Sequence, residues 1–334
     1  MQSKRSVSGI LGLIFWGVGF ATIHSEDYCH QQATPEAIQA LYREAQQHAL
    51  STMADRITFF SKILMGKPYA INALGEGPNG EFDQAPLYRL DAFDCQTYVE
   101  TVLALSTADS APNFANCLRH VRYHSGEIAF TQRLHFISTD WNKNNHKQQL
   151  IQDITPDILD QHQHPVCQYA RAQIDVPNWY RHFDKRKIRL CHAAKQQAQH
   201  ALKRIKRLGQ TLSTTTSTVA YIPFSVLFDK RGQANNVIFK QIPNGAIIEI
   251  VRPNWDLTET IGTHLNISHL GFAIREHGEL YYYQALASAG KVVNPRLVDY
   301  LKGIRNQPSI KGINIQRVSP TVKQCGGYIS VQSK

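Results

Sequence analysis

Helical texture comes first in this chain and strand texture last, and that order constrains the fold more than any other feature. Ile38, Leu41, Ala45 and Ala49 recur at helical spacing behind a Thr34-Pro35-Glu36 start. Ile57, Phe60, Ile63 and Leu64 repeat the pattern until Gly66 to Pro68 stop it. A loop carrying Gly77, Pro78, Asn79, Gly80 and Pro86 leads to a helix near Cys95, with Tyr98, Val99, Val102, Leu103 and Leu105 on its apolar positions. Another helical run lies near Phe114 to Tyr123. From Val219 the texture becomes strands: "VAYIPFSVLF", "GAIIEIVR", "HLGFAI", "ELYYYQALA" and "GINIQRV". The stretch "FAIREHGELYYY" reads as a hairpin turning at His277-Gly278. Helices followed by a meander of strands predict an α+β fold, N-terminal helices packed on an antiparallel sheet. Residues 145–215, rich in Gln, His, Lys and Asn and ending in "LSTTTSTV", read as a helical insertion.

The compartment follows from residues 1–25. Lys4 and Arg5 form a basic head, Val7 to Ile23 is mostly apolar, and Ser25 precedes Glu26 and Asp27, the pattern of a cleaved secretory signal. Cys29 has no leucine-rich lipobox before it, and no later segment is apolar enough to span a bilayer. The expectation is a mature chain of residues 26–334, exported to the periplasm or secreted, and not an integral membrane protein. Cys29, Cys117, Cys167, Cys191 and Cys325 can pair in part in such a compartment, and their odd number leaves one over.

Charge is distributed unevenly. Residues 181–210 hold ten Lys or Arg and one acid, Asp184, while the rest of the mature chain is close to neutral. A basic helical face of this kind attracts anionic polymers, and an exported protein meets those of the envelope first. No Gly-rich phosphate loop, RNA-binding signature or zinc-finger spacing points to nucleic acid. A zinc hydrolase using His162, His164, Cys167, Cys191 and His192 is the rival enzyme reading, but the spacing is irregular and no H-E-x-x-H occurs. The reading adopted has no metal and no cofactor.

Cys95 stands where a loop turns into a helix, a position whose unpaired N–H groups and dipole favour a thiolate. It then needs a histidine presented by the sheet. His269 opens the "HLGFAI" strand, with Gly271 leaving room beside it. Gln284 on the next strand can accept a hydrogen bond from the imidazole and orient it. Any one of these residues is weak on its own; the order Cys–helix, His–strand, polar–strand is more specific.

Five blocks carry a resemblance: "GKPY" (66–69), "FDCQTYVETVLAL" (93–105), "RLHFISTDW" (133–141), "SHLGFAI" (268–274) and "ASAGKVVNPRLVDYL" (287–301). Together they resemble the N-acetylmuramoyl-L-alanine amidase-like branch of the NlpC-type, papain-like cysteine amidases, exported bacterial cell-wall hydrolases. The likeness spans roughly residues 35–320, with 145–215 poorly matched. It implies a papain-like half-barrel, a Cys-His-polar triad and peptidoglycan stem peptides as substrate. Cys95 then matches the nucleophile, His269 the base, and Tyr69 a tyrosine near the oxyanion position. Asp94 and Ser268, neighbours of nucleophile and base, join as substrate contacts. Many relatives carry "HAS" where this chain has "QALAS" from Gln284.

Which amide is cut is read from "RLHFISTDW". Taken as a strand, it puts Arg133 and His135 on one face, an anion fork and a hydrogen-bonding ring, with Trp141 as a stacking surface for a sugar. A site of this kind fits cleavage between N-acetylmuramoyl and L-alanine. An endopeptidase cutting after D-glutamate would want an acidic pocket for a free amine, and the block has no acid before Asp140. From another class, an inactive wall-binding module would keep the fold without turnover.

Overall fold

The computed structural model describes Cys29 and residues 32–191, 193–320 and 325. The expected signal and His192 lie outside the described residues. Four helices come first: α1 (Pro35–Ala45), α2 (Met53–Ile63), α3 (Cys95–Thr107) and α4 (Ala111–Arg122). Thr34 caps α1 as its sequence predicts, and Thr52 with Asp55 forms a reciprocal box at the start of α2. Helix α3 is buried from Thr97 to Thr107, so it is apolar on nearly every side rather than along one stripe.

The remaining chain adds α5 (Asn142–Lys147), β1 (Ile151–Asp153), β2 (Gln168–Ile174), α6 (Val176–Arg181), α7 (Lys195–Gly209) and β3 (Thr215–Pro223). Short helices α8 (Phe224–Leu227), α9 (Asn236–Lys240) and α10 (Thr258–Ile261) separate the later elements. These are β4 (Ala246–Leu257), β5 (Thr263–Glu276), β6 (Glu279–Leu286), β7 (Lys291–Val293), α11 (Leu297–Ile304) and β8 (Gly312–Val318). The eight strands form one antiparallel sheet in the order β2-β3-β8-β4-β5-β6-β7, with β1 on β8. The β5–β6 hairpin turns at His277 and Gly278, both at positive φ (49° and 86°), the geometry of the tight turn that matches strand twist.

Both faces of this sheet are covered. Leu270, Phe272, Ile274, Tyr283 and Ala285 meet α1 to α4 on one side. Ala273, Tyr282, Ile248 and Ile315 meet α9 and α11 on the other. Each large apolar side chain so buried contributes about 1.5–3 kcal/mol, which explains why β4 is apolar almost continuously from Ala246 to Val251. The sheet also curls. Asn266 of β5 donates to Ser217 Oγ on β3 at 2.9 Å, and the Asp175 N–H beyond β2 reaches Thr263 Oγ1 of β5 at 2.7 Å.

Three expectations change here. Residues 145–215 are not a helical insertion alone, because β1 and β2 belong to the sheet. The basic segment 181–210 is not one helical face: only α7 is a long helix, and Arg189 is turned inward to Asp83 at 2.5 Å. Ile205 of α7 packs with Phe82, Phe130, Tyr180 and Phe183 in a separate small core. Finally, "RLHFISTDW" is not a strand, since Ile137–Trp141 closes a π-helical turn.

Two disulfides tie the ends inward. Cys29 joins Cys191, and Cys117 of α4 joins Cys325, across 162 and 208 residues of sequence. Cys95 and Cys167 remain thiols.

Candidate active site

Helix α3 begins at Cys95 because Asp94 builds its cap. The Thr97 N–H donates to Asp94 Oδ1 at 2.8 Å, and the Asp94 N–H donates to Thr97 Oγ1 at 3.0 Å. Asp94 was expected to touch substrate, and its Oδ1 is instead engaged in holding the first turn. The backbone N–H of Leu270, the residue that follows His269, and those of Gln96 and Cys95 itself lower the pKa of the Cys95 thiol. Those donors favour the thiolate, as a helix start should. Burial and the Asp94 carboxylate outweigh them and push the thiol up to about 12. The lowered thiol pKa that a helix start alone predicts is therefore not what this site has.

His269 is half-buried and its Nε2 meets Gln284 Oε1 at 2.5 Å. Gln284 is wholly buried, so the third group is where the hairpin register suggests. An amide oxygen only accepts, so Nε2 carries the proton and Nδ1 is left as the basic nitrogen. Burial pulls the ring down to about 4, with the Gln284 bond opposing. Thiol and imidazole thus both rest uncharged near neutral pH. A Cβ at Gly271 would lie 2.6 Å from the Tyr283 carbonyl oxygen and 3.0 Å from Gln284 Cβ, so glycine is what lets the two strands close around the imidazole.

Two tyrosines lie near both Cys95 and His269. Tyr282 and Tyr300 pack on the His269 ring at 6.0 and 6.3 Å between centroids, and both lie within electrostatic range of Cys95. Tyr69 is in range of Cys95 and Asp94 as well, its segment held by the N–H bond from Tyr69 to the Gly290 carbonyl at 2.8 Å. Tyr282 and Tyr300 were not singled out from sequence. Their signal was present in "YYYQ" and "VDYL", but nothing local distinguishes a site-lining tyrosine from a core one.

A cleft of about 190 Å³ is lined by Gln96 and Ser268, the sequence neighbours of Cys95 and His269, and by His135, Phe136, Ser138 and Trp255 among others, but by neither Cys95 nor His269 themselves. Gln96 is fixed by bonds from its Nε2 to Glu100 and to the Leu134 carbonyl, at 2.9 and 3.1 Å. Ser268 lines the cleft, its hydroxyl 3.4 Å from the Ile250 carbonyl. His135 also lines it, but burial and the Arg133 charge drive its pKa well below the ordinary value. Its Nε2 donates to the Phe130 carbonyl at 2.8 Å, and its ring is held between Phe130 and Trp179.

Two other candidates need correction. Trp141 is completely buried and offers no stacking face. Arg133 is no free anion fork: its Nη2 is paired with Glu76 and with Asp83, the latter at 3.0 Å, and both carboxylates are buried. Of the rival zinc set, Cys191 is bound to Cys29, and no group of three metal-ligating side chains occurs among the described residues.

The profile of the N-acetylmuramoyl-L-alanine amidase-like family matches residues 59–310. A protein from Legionella pneumophila str. Philadelphia 1 is 46% identical and superposes with a TM-score of 0.85, covering 88% of this chain and 97% of that one. An N-acetylmuramoyl-L-alanine amidase from Bacteroides uniformis ATCC 8492 is 25% identical with a TM-score of 0.55, covering 80% of this chain and 99% of that one. No curated protein matches. The match runs from α3 to α11, takes in strands β1 to β7 and includes both Cys95 and His269, and this chain belongs to the N-acetylmuramoyl-L-alanine amidase-like family.

Proposed function

We propose that this protein is a cysteine amidase of the NlpC-type, papain-like class that cleaves the amide between N-acetylmuramoyl and L-alanine in peptidoglycan, working outside the cytoplasm. The observation that carries the reading is the arrangement of Cys95, His269 and Gln284: a thiol at a helix start, within electrostatic range of the two tyrosines that pack on an imidazole whose Nε2 is held by Gln284.

The chemistry follows from the uncharged resting pair. His269 Nδ1 takes the thiol proton as sulfur attacks the lactyl carbonyl carbon of the muramoyl group. The carbonyl electron pair moves to oxygen, where the Cys95 N–H donates to it. Such a donor is typically worth about 3–4 kcal/mol to the transition state. The imidazolium then gives its proton to the L-alanine nitrogen, the C–N bond breaks, and an acyl thioester remains. Water, deprotonated by His269, releases the acyl group and restores the thiol. Gln284 orients the ring without adding charge.

Glu76 and Asp83 bear on which bond is cut. An endopeptidase would need a free acid for the amine of a trimmed stem peptide, and these two buried acids are already paired with Arg133 and Arg189. Two disulfides favour an oxidising compartment. Cys95→Ala should lower turnover of an N-acetylmuramoyl peptide by at least about 10³-fold, in the range typical when a catalytic group is removed, while the unfolding midpoint barely moves. Chelators should leave wild-type activity intact. A chelator-sensitive activity that survives Cys95→Ala would support the zinc hydrolase instead.

A further inference from the structure

Strands β4 and β5 pair without a break from Ala246 and Ala273 to Ile250 and His269, and there the ladder slips. Val251 faces Ile267, but the next pair is Trp255 with Leu265, so Arg252, Pro253 and Asn254 share one opposite residue, Asn266. Pro253 has no N–H for a ladder, and Asn254 adopts a left-handed φ of 50°. The Asn254 N–H is caught at 3.0 Å by Oδ1 of the buried Asn266. Extra residues at a bulge re-aim the side chains around them. Here Trp255 returns to the cleft that Ser268 lines, and Arg252 lies over the indole with Cζ 4.3 Å from the ring centroid.

Arg252 differs from Arg133 in one decisive respect. Arg133 is neutralised by Glu76 and Asp83, whereas no carboxylate among the described residues pairs with Arg252. Its Nη2 donates to Gln307 Oε1 at 3.0 Å, and its Nε is buried without a partner. Tyr300 is the titratable neighbour of this guanidinium, and Tyr300 also packs on His269. The cation therefore stands on the base's side of the site, half-buried, with donors to spare.

We propose that Arg252, held on the face of Trp255, binds a free carboxylate of the peptide that leaves with the amine. The inference rests on the amidase reading, because it takes the leaving amine to lie on the His269 side. A guanidinium matches a carboxylate with two parallel bonds, and partial burial strengthens each of them. Trp255 supplies the platform that fixes the fork's plane. The muramoyl portion then extends the other way, along the cleft toward Gln96 and His135.

Binding to the inert Cys95→Ala protein tests this separately from turnover. Calorimetry would compare N-acetylmuramoyl-L-alanyl-D-glutamate with the same compound amidated at both carboxyls. The acid should bind about tenfold or more tightly, as expected for a charge-assisted bond. Adding Arg252→Gln should bring the two ligands to within about twofold of each other, and Arg252→Lys should restore part of the difference. Thermal unfolding of each variant shows whether it is folded. Acid preference that persists in folded Arg252→Gln, or no preference in the Cys95→Ala parent, overturns the assignment. Failure of the amidase reading shows up elsewhere, as wild-type protein that leaves the muramoyl–alanine bond uncut.

Discussion

At the scale of single residues, the proposed mechanism makes the charge states of Cys95 and His269 determine the pH behaviour. His269 must be neutral to accept the thiol proton, and burial places its titration near pH 4. Cys95 holds its proton up to about 12, so no titration of the resting pair intervenes across the neutral range. A plot of kcat/KM should accordingly rise through an acid limb near pH 4 and stay level to about pH 9. A bell with both limbs between about pH 5 and 9 would show a thiolate–imidazolium pair at rest.

Glu249 gives a second residue-scale test, one of stability. It is fully buried on β4, accepts one bond from Asn142 at 3.1 Å, and is pushed up to about 8 by burial, with Asp153 nearby adding to the shift. Unfolded, it would titrate at about 4.5. Between these values the folded protein binds more protons than the unfolded chain. Its contribution to stability is therefore fully present below about pH 4.5 and is lost as pH rises through 8. Glu249→Gln removes the titration. Denaturant midpoints at pH 5 and pH 8 should fall in wild type by more than in the variant; an equal fall in both would mean that Glu249 does not titrate in this way.

At the scale of elements, the basic helix offers a prediction that has changed with the structure. Arg204 is paired with Glu81 at 2.9 Å and Arg189 with Asp83, which leaves Lys195, Lys203 and Arg207 as exposed cations on α7. We propose that this smaller face holds the enzyme on anionic envelope polymers. Exposed charges act over about 8 Å at physiological salt, so the attachment should be salt-sensitive. Changing all three to Gln should reduce sedimentation with wall sacculi at low salt and spare hydrolysis of a small soluble muropeptide. Equal loss on both substrates would show that α7 supports the cleft instead, through Trp179 behind His135 and Phe136.

The same elements show what a sequence can disclose. The hairpin at His277-Gly278 was legible because period-two alternation and an αL-tolerant turn are local signals. So was the start of α3 at Cys95, although Asp94 was read as a substrate contact and not as the cap it forms with Thr97. Strand β2 was not legible: "QYARAQI" buries only Ala170, Ala172 and Ile174, and the two alanines are too small to mark a face against its polar residues. Arg133 and Trp141 were misread because their partners lie far away in sequence. Glu76, Asp83 and the core around α3 decide whether a cation or an indole is free, and local spacing does not report on them. Trp255 and Arg252 were missed for the converse reason, since a bulge between paired strands aims them.

On the scale of the whole molecule, the parts depend on one another across the chain. Helix α3 delivers Cys95 from one layer, and the β5–β6 hairpin delivers His269 and Gln284 from the sheet. Residues 145–215 complete the sheet's edge and brace one wall of the cleft, and two disulfides fasten Cys29 and Cys325 onto that assembly. We propose that this assembly breaks the bond between the muramoyl lactyl carbonyl and L-alanine. Mass spectrometry of defined muropeptides after incubation with the protein tests it most directly. Wild-type protein should release the intact stem peptide with L-alanine at its N-terminus, and Cys95→Ala should give no such product. Release of L-alanyl-D-glutamate would mark an endopeptidase, and unchanged muropeptides with wild-type protein would mark a wall-binding module; each result contradicts the claim.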